Sequence, residues 1–258
     1  MQQINAVIIT LNEERNIGRC LESLVGVADH VVVVDSGSTD KTKTICQQYS
    51  ERYPDWLTFL YHEWEGYANQ KNYANSMVGD GWILSIDADE ALSNKLRENL
   101  INRKTNDLLE SDAAYSICRL NNYCGHWLRH GGWYPDEAVR MWTAGAAQWN
   151  GVVHETLEWQ RPMRQQRMNG DLLHYTYYSV EEHAQRTVKY AALAAEKAYQ
   201  QGKKTSRSAI IVKPFWTFVS KYLLHLGFLD GMAGYVSCRI SAEYTLLKYS
   251  RLYELCNQ

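Results

Sequence analysis

Four short apolar runs rich in β-branched residues punctuate the N-terminal part of the chain: Ile4–Thr10, Val31–Val34, Leu57–Tyr61 and Trp82–Ile86. Runs of this length, bounded by polar and glycine-containing segments, read as buried strands. The stretches between them have a helical period. Ile17, Cys20, Leu21 and Leu24 recur at helix spacing within Asn16–Val25, and Gly66–Met77 also reads as a helix. A further helix runs through Ile45 and Tyr49, with Ser38 or Thr39 as its expected cap. Strands alternating with helices predict a mostly parallel α/β sheet with right-handed crossovers.

That order puts Thr10, Asp35 and Asp87 each at the carboxyl end of a strand. Open α/β sheets bind ligands at that rim, and three polar clusters there make a nucleotide-sized site. The fourth strand leads into Asp87 and Asp89, two carboxylates one residue apart. An Asp-x-Asp pair at a sheet rim can share a hard divalent cation with the phosphates of a substrate. Taken alone, the pair also fits a solvated acidic turn; the three clusters together are hard to explain as turns. Glu90 is expected to open the next helix, at its positive end.

A formal net charge of -2 argues against a general nucleic-acid binder. The aromatic content is unusual, with 9 Trp and 18 Tyr against 4 Phe. Amphipathic rings suit sugar faces, wet interfaces and membrane headgroups, and they also suit cores. The six cysteines are scattered without a C-x-x-C pair, which supports neither a zinc site nor a disulfide framework. The N-terminus runs into a strand with no basic, apolar signal segment, so a reducing cytoplasmic location is expected.

Ile8–Glu14 (IITLNEE), Val33–Asp40 (VVDSGSTD) and Leu84–Glu90 (LSIDADE), in that order, resemble the three signatures of glycosyltransferase family 2. Gly151–Thr156 (GVVHET) and the aromatic C-terminal region narrow the resemblance toward bacterial lipopolysaccharide core β-glucosyltransferases. The resemblance implies a GT-A fold, a Rossmann-like mixed sheet flanked by helices. Residues 1–180 would form the catalytic domain, with 1–90 the nucleotide-binding half and 91–180 the acceptor side, and 181–258 a helical extension. It implies an inverting, metal-dependent hexosyltransferase with Mg2+ or Mn2+. The donor would be a UDP-sugar, with glucose the expected hexose, and the acceptor a glycan or glycolipid of the lipopolysaccharide core or cell envelope.

Site roles follow from the same resemblance. Thr10, Leu11, Asn12 and Glu13 would line the base and ribose pocket, Asp35 would accept a hydrogen bond from uracil, and Lys71 would meet base or phosphate. Asp87 would hold the ribose or sugar side and, with Asp89, the metal on the diphosphate. An inverting transfer needs one carboxylate to take the proton from the acceptor hydroxyl. Glu155 matches the family's acidic position, with Asp136 and Glu137 as alternatives. His154 would orient that base or meet phosphate, and His174 is a candidate further ligand.

Asn121–Pro135 reads as a long irregular segment of the kind that is often functional. Within it Trp127, Trp133 and Tyr134 can stack on sugar rings, while Arg129, His126 and His130 can meet an anionic acceptor. Arg140 reads as structural or close to the acceptor. Past a helix from Val180 and a basic linker at 200–207 comes Ala209–Leu229, strongly apolar and aromatic. Charges interrupt it too often for a membrane span. It fits either an interfacial helix on the cytoplasmic face of the inner membrane or a helix packed on the protein.

Other readings compete with this one. A nucleotidyltransferase would carry a glycine-rich basic loop after the first strand, which Leu11–Arg15 is not. A transferase acting on a peptide or polyprenyl phosphate, or a non-catalytic nucleotide-sugar binder, shares the same motifs.

Overall fold

In the computed structural model, which describes residues 2–151 and 156–257, the chain divides into two units. The first comprises Met1–Arg119 and Glu137–His174, the second Leu120–Asp136 and Tyr175–Gln258. The aromatic segment of residues 120–136 therefore groups with the C-terminal helices, whereas the sequence places it in the acceptor-side half of the catalytic domain.

The first unit opens with β1 (Ile4–Thr10), α1 (Ile17–Leu24), β2 (His30–Asp35), α2 (Thr42–Arg52), β3 (Leu57–Tyr61), α3 (Tyr67–Ser76) and β4 (Trp82–Ser85). Then come β5 (Glu90–Leu92), α4 (Asn94–Thr105) and β6 (Ala113–Tyr123), whose far end, with β7 (His126–Leu128), belongs to the second unit. β8 (Asp136–Thr143), β9 (Ala147–Asn150), β10 (Thr156–Trp159) and β11 (Arg164–Tyr177) follow. The sheet order is β3-β2-β1-β4-β8-β6-β11-β5, with β9 and β10 a separate pair. β3, β2, β1 and β4 are mutually parallel, while β8 joins β4, and β5 joins β11, in the antiparallel sense.

Alternation along the central strands feeds two cores. Ile4, Ala6, Ile8, Val31 and Val33 pack with α1, while Val7, Val32, Val34 and Ile83 pack with Ala74 of α3 and Trp142 of β8. Eight residues are too few for α1 to persist alone in water. Burial of Ile17, Leu21 and Leu24, each worth about 1.5–3 kcal/mol, holds it on the sheet. Where β11 crosses the start of α4, Gly170 has φ +113°, and a Cβ there would lie 2.4 Å from the Leu96 backbone nitrogen. Only glycine permits that approach.

Three local expectations change. α2 is capped by neither Ser38 nor Thr39; instead Asp40 Oδ1 accepts a hydrogen bond from the Thr42 backbone N at 2.9 Å. Asn121–Pro135 is not wholly irregular, because β6 runs on to Tyr123 and pairs with β7 in a hairpin turned at Cys124 and Gly125. Glu90 does not open a helix: it lies buried in β5, and α4 starts at Asn94 with Ser93 as its cap.

In the second unit α5 (Val180–Gln200) and α6 (Arg207–Val219) both pack along α7 (Gly231–Asn257). Ala195, Ala198 and Leu252 form one of the contacts. α6 passes into a π-helical turn at Ser220–Leu224 and a 3-10 turn at Gly227–Asp230, so the apolar run is not one straight helix. That turn sits against α7 where Gly234 has no side chain; a Cβ there would meet the Gly227 carbonyl oxygen at 1.9 Å.

His183 of α5 is buried against Tyr177, its ring stacked at 4.2 Å and its Nδ1 3.1 Å from the Tyr123 hydroxyl. Burial first, then the Arg186 charge, pushes its pKa down to about 4. A folded value below the unfolded one leaves stability intact above the unfolded pKa and removes it as pH falls toward the folded pKa. Between about pH 6.5 and 4 the protein is expected to lose on the order of 3 kcal/mol through this group. Urea melts of wild type and His183→Gln across that window check it, and equal pH slopes in the two would refute the assignment.

Candidate active site

Parallel register decides which polar residues meet. Thr10 lies beside Asp35, and Val7 beside Ser85, so the ends of β2, β1 and β4 share one rim. The loops leaving that rim are tied together. Asp35 Oδ2 accepts hydrogen bonds from the backbone N of Gly37 and Ser38 at 2.9 and 2.8 Å, and its Oδ1 takes the Ser38 hydroxyl. Asn12, in the left-handed region at φ 57°, accepts from Thr39 N at 2.8 Å and donates its own backbone N to Ser38 Oγ. Glu13 N donates to Thr42 Oγ1, and its carboxylate accepts from Asn16 Nδ2 at 2.7 Å. Leu11 is exposed at the loop tip, while Thr10 Oγ1 is buried without a hydrogen bond.

The Asp87–Glu90 turn is the charged centre of this unit. Arg140 Nη2 donates to Asp87 Oδ2 at 2.8 Å and to Glu90 Oε1 at 2.6 Å. Lys71 Nζ approaches Asp87 Oδ1 at 3.5 Å and lies 4.7 Å from the centre of the Trp149 ring. Asp87 N donates to Glu90 Oε2 at 3.0 Å, closing the turn. Burial opposes ionisation of Asp87, but Arg140 and then Lys71 outweigh it and hold its carboxyl well below the usual range. Glu90, with no side-chain exposure, is pushed the other way by burial, against the pull of Arg140.

Asp89 faces a different environment. About a quarter of its side chain (26%) is open, and His174 Nε2 lies 3.3 Å from its Oδ2. Pairing of β11 with β5 sets His174 opposite Glu90 and so delivers it to this carboxylate. Burial lowers the His174 pKa, yet Asp89 carries it above the ordinary value. Among the described residues no three His, Cys, Asp or Glu side chains gather into a group that could hold an ion by themselves. A cation shared with a diphosphate needs only one or two protein carboxylates. Both aspartates are partly open, Asp87 at 32% and Asp89 at 26%; what separates them is pairing, since Asp87 has two cationic partners, Arg140 and Lys71, and Asp89 has His174.

The remaining candidates separate. Glu155 and His154 lie outside the described residues. Glu137 accepts a hydrogen bond from Ser116 Oγ. Trp127, Arg129, Trp133, Tyr134 and Asp136 belong to the second unit. There Trp127 packs edge-on against Tyr175 at 5.4 Å, Trp133 lies against Tyr177 and His183, and the Arg129 guanidinium is 5.8 Å from the Tyr134 ring centre. Asp230 fastens this segment, accepting from the backbone N of Arg129 and His130 and pairing with the His130 ring at 2.8 Å. Trp133 is thus a packing residue, and His130 is occupied by Asp230.

Trp149 is not marked by the sequence, and Arg140, expected to be structural or close to the acceptor, has a more specific place. Arg140 is the hub of the acidic turn. Trp149 covers Lys71, and Asn72 exchanges two 2.8 Å hydrogen bonds with its backbone, docking β9 on α3. No motif marks either, because each is brought in by strand register.

Comparison with known proteins gives the family and the fold. The sequence profile of Glycosyl transferase family 2 matches residues 6–145. The lipopolysaccharide core biosynthesis glycosyltransferase LpsC of Rhizobium meliloti (strain 1021) is 30% identical over 97% of this chain and 92% of its own length. An uncharacterised glycosyltransferase of Rickettsia typhi is 28% identical over 99% of this chain and 88% of its own. Among solved structures, the mannosyltransferase PcManGT from Pyrobaculum calidifontis in complex with GDP-Man and Mn2+ superposes with a TM-score of 0.50. It is 16% identical, over 95% of this chain and 74% of that one. The chain belongs to glycosyl transferase family 2: it is a glycosyltransferase with the GT-A fold.

Proposed function

We propose that this glycosyltransferase moves a hexose, with glucose the first candidate, from a UDP-sugar to a glycan or glycolipid acceptor of lipopolysaccharide core type, with inversion. The reading rests on one observation above others: Thr10, Asp35 and Asp87 stand at the ends of three neighbouring parallel strands, with Lys71 3.5 Å from Asp87. The acceptor class is supported by the Rhizobium relative, a lipopolysaccharide core biosynthesis glycosyltransferase.

Thr10, Asn12 and Glu13 with Asp35 take the nucleoside, and the buried Thr10 hydroxyl is one donor to it. Lys71, partnered by Asp87 and Trp149, supplies positive charge for base or phosphate. Asp89, with a share from Asp87, holds Mg2+ or Mn2+. When bound, such an ion offsets negative charge on the diphosphate leaving group. Glu155 takes the proton of the acceptor hydroxyl as that oxygen attacks the anomeric carbon and the bond to the UDP oxygen breaks. The carboxylate needs no covalent bond to the sugar, so one base suffices.

Calorimetric titration with UDP-glucose, UDP-galactose, UDP-N-acetylglucosamine and GDP-mannose, with and without manganese, tests the donor assignment. One UDP-sugar is expected to bind in a manganese-dependent way; retention of GDP-mannose alone would refute the uridine pocket. Glu155→Gln is expected to bind that donor unchanged and to transfer roughly 100- to 10,000-fold more slowly. Normal turnover in this variant would move the base to Asp136 or Glu137.

A further inference from the structure

The second unit leaves an apolar helix face uncovered. α6 buries none of its residues, and Ile211, Val212, Phe215 and Trp216 are between 57% and 74% exposed. Their spacing of one, three and one residues places them on one side of the helix. The opposite side is occupied: Thr217 Oγ1 meets Thr245 Oγ1 of α7 at 3.2 Å, and Arg239 lies 5.5 Å from the Phe218 ring centre. Beyond α6, Leu223 and Leu224 in the π-helical turn and Met232 at the start of α7 are also exposed.

Along α6 and its flanking segments the charge is of one sign, and the acidic residue beside the face, Glu243 of α7, shares its groove with Arg239. Between Glu196 and Asp230 stands no acidic residue, but Lys197, Lys203, Lys204, Arg207, Lys213 and Lys221 do. The whole chain carries -2, so this segment holds +6 and the remainder -8. Lys221 turns inward to the Gly131 carbonyl at 3.2 Å, whereas Lys203 and Lys204 are exposed; Arg207 and Lys213 are exposed too but reach α7, Arg207 Nε donating to the Tyr253 hydroxyl at 2.8 Å and Lys213 Nζ lying 3.9 Å from the Tyr249 ring centre. An exposed apolar face beside cations, with a Trp among its residues, has the chemistry of an interfacial helix.

We propose that α6 and the turns after it seat the protein on an anionic lipid bilayer, with α6 in the plane of the headgroups and Phe215 and Trp216 inserted. Lys203, Lys204 and Arg207 meet the lipid phosphates. No helix among the described residues is long and apolar enough to cross a membrane, and Pro214 and Lys213 interrupt this one. A second copy of the chain is the poorer occupant. A two-fold contact would set the patch against itself and bring cations onto cations; an anionic surface neutralises them. The proposal holds whichever sugar donor is used, and its test does not read activity.

Co-sedimentation of the full chain with phosphatidylcholine vesicles, with and without phosphatidylglycerol, is the test. The wild type is expected to sediment with the phosphatidylglycerol vesicles and to be released by salt. Lys203→Glu with Lys204→Glu and Arg207→Glu should lower partitioning roughly 100-fold, and Phe215→Ser with Trp216→Ser about 10-fold or more. All five side chains are exposed, and the one hydrogen bond lost, from Arg207 to the Tyr253 hydroxyl, lies at the surface, so circular dichroism should be unchanged. Wild type remaining in the supernatant with both vesicles, or undiminished binding by either variant, would overturn the proposal. So would a lipid-free dimer that Phe215→Ser with Trp216→Ser converts to monomer without changing sedimentation, since the face would then be a self-interface.

Discussion

Asp89→Ala is expected to lower transfer by roughly 1,000-fold, the loss of several kcal/mol of leaving-group stabilisation, while leaving the fold intact. The asymmetry follows from the surroundings. Asp89 is a quarter open and its nearest cation is His174 at 3.3 Å. A partly exposed pair of this kind contributes about 1 kcal/mol or less. The melting temperature should therefore barely move, while manganese binding, followed by calorimetry or electron paramagnetic resonance, should disappear in the presence of UDP. Asp89→Asn should behave in the same way, because a neutral amide oxygen is a poor substitute for a carboxylate on a hard cation. Full activity with unchanged manganese affinity would remove Asp89 from the metal site.

Arg140→Met should have the opposite signature, a large loss of stability. The guanidinium is buried at 3% exposure and donates to two carboxylates, Asp87 at 2.8 Å and Glu90 at 2.6 Å. A methionine of similar length leaves Glu90 buried without its cation. Breaking a buried pair by removing one partner costs about 3–5 kcal/mol. For a chain of this length that corresponds to a fall in melting temperature on the order of 10 °C. Arg140 uses one nitrogen, Nη2, for both carboxylates; Arg140→Lys keeps the charge and a bridging donor on a shorter stem, so it should fall between the two.

The pH dependence separates this account from simple loss of packing. In the wild type, Asp87 has a depressed pKa. Its contribution is present above the unfolded pKa and is lost as pH falls through the folded value. Without the guanidinium that contribution shrinks, and the Glu90 carboxyl, already raised by burial, rises further. A raised carboxyl favours the folded state at low pH, where it is protonated. The stability gap between Arg140→Met and wild type is thus expected to narrow from about pH 7 to pH 5. A gap that stays constant over that range would mean that packing, not charge, is what Arg140 supplies.

Much of the nucleotide-facing half was legible in the sequence because its signals are local. β1 and β3 lie where the apolar runs predict them, and β2 and β4 differ by a residue at their ends. The period of Ile17, Cys20, Leu21 and Leu24 marks the face that α1 buries. Strand ends in a parallel sheet share one rim whatever the loops do, so Thr10, Asp35 and Asp87 could be brought together from order alone. Glu90 was misread because an acidic residue ahead of a helical pattern looks like a first-turn residue. Its pairing with β11 instead makes it a strand residue, and Arg140 makes its burial tolerable.

Contacts of long sequence separation were not legible. Arg140 reaches Glu90 across 50 residues and Asp87 across 53, and His174 reaches Asp89 across 85. None of these pairs carries a local pattern, since each depends on the antiparallel register of β8 with β4 or of β11 with β5. A shift of one residue in either register would turn the side chain to the other face of the sheet. The chain thus declares in its own order the family motifs, the strand-helix alternation and the rim on which the motifs stand. Which carboxylate is paired with the Arg140 guanidinium and which with a histidine is set by folding, because burial and charge pairing exist only once distant strands have been placed side by side.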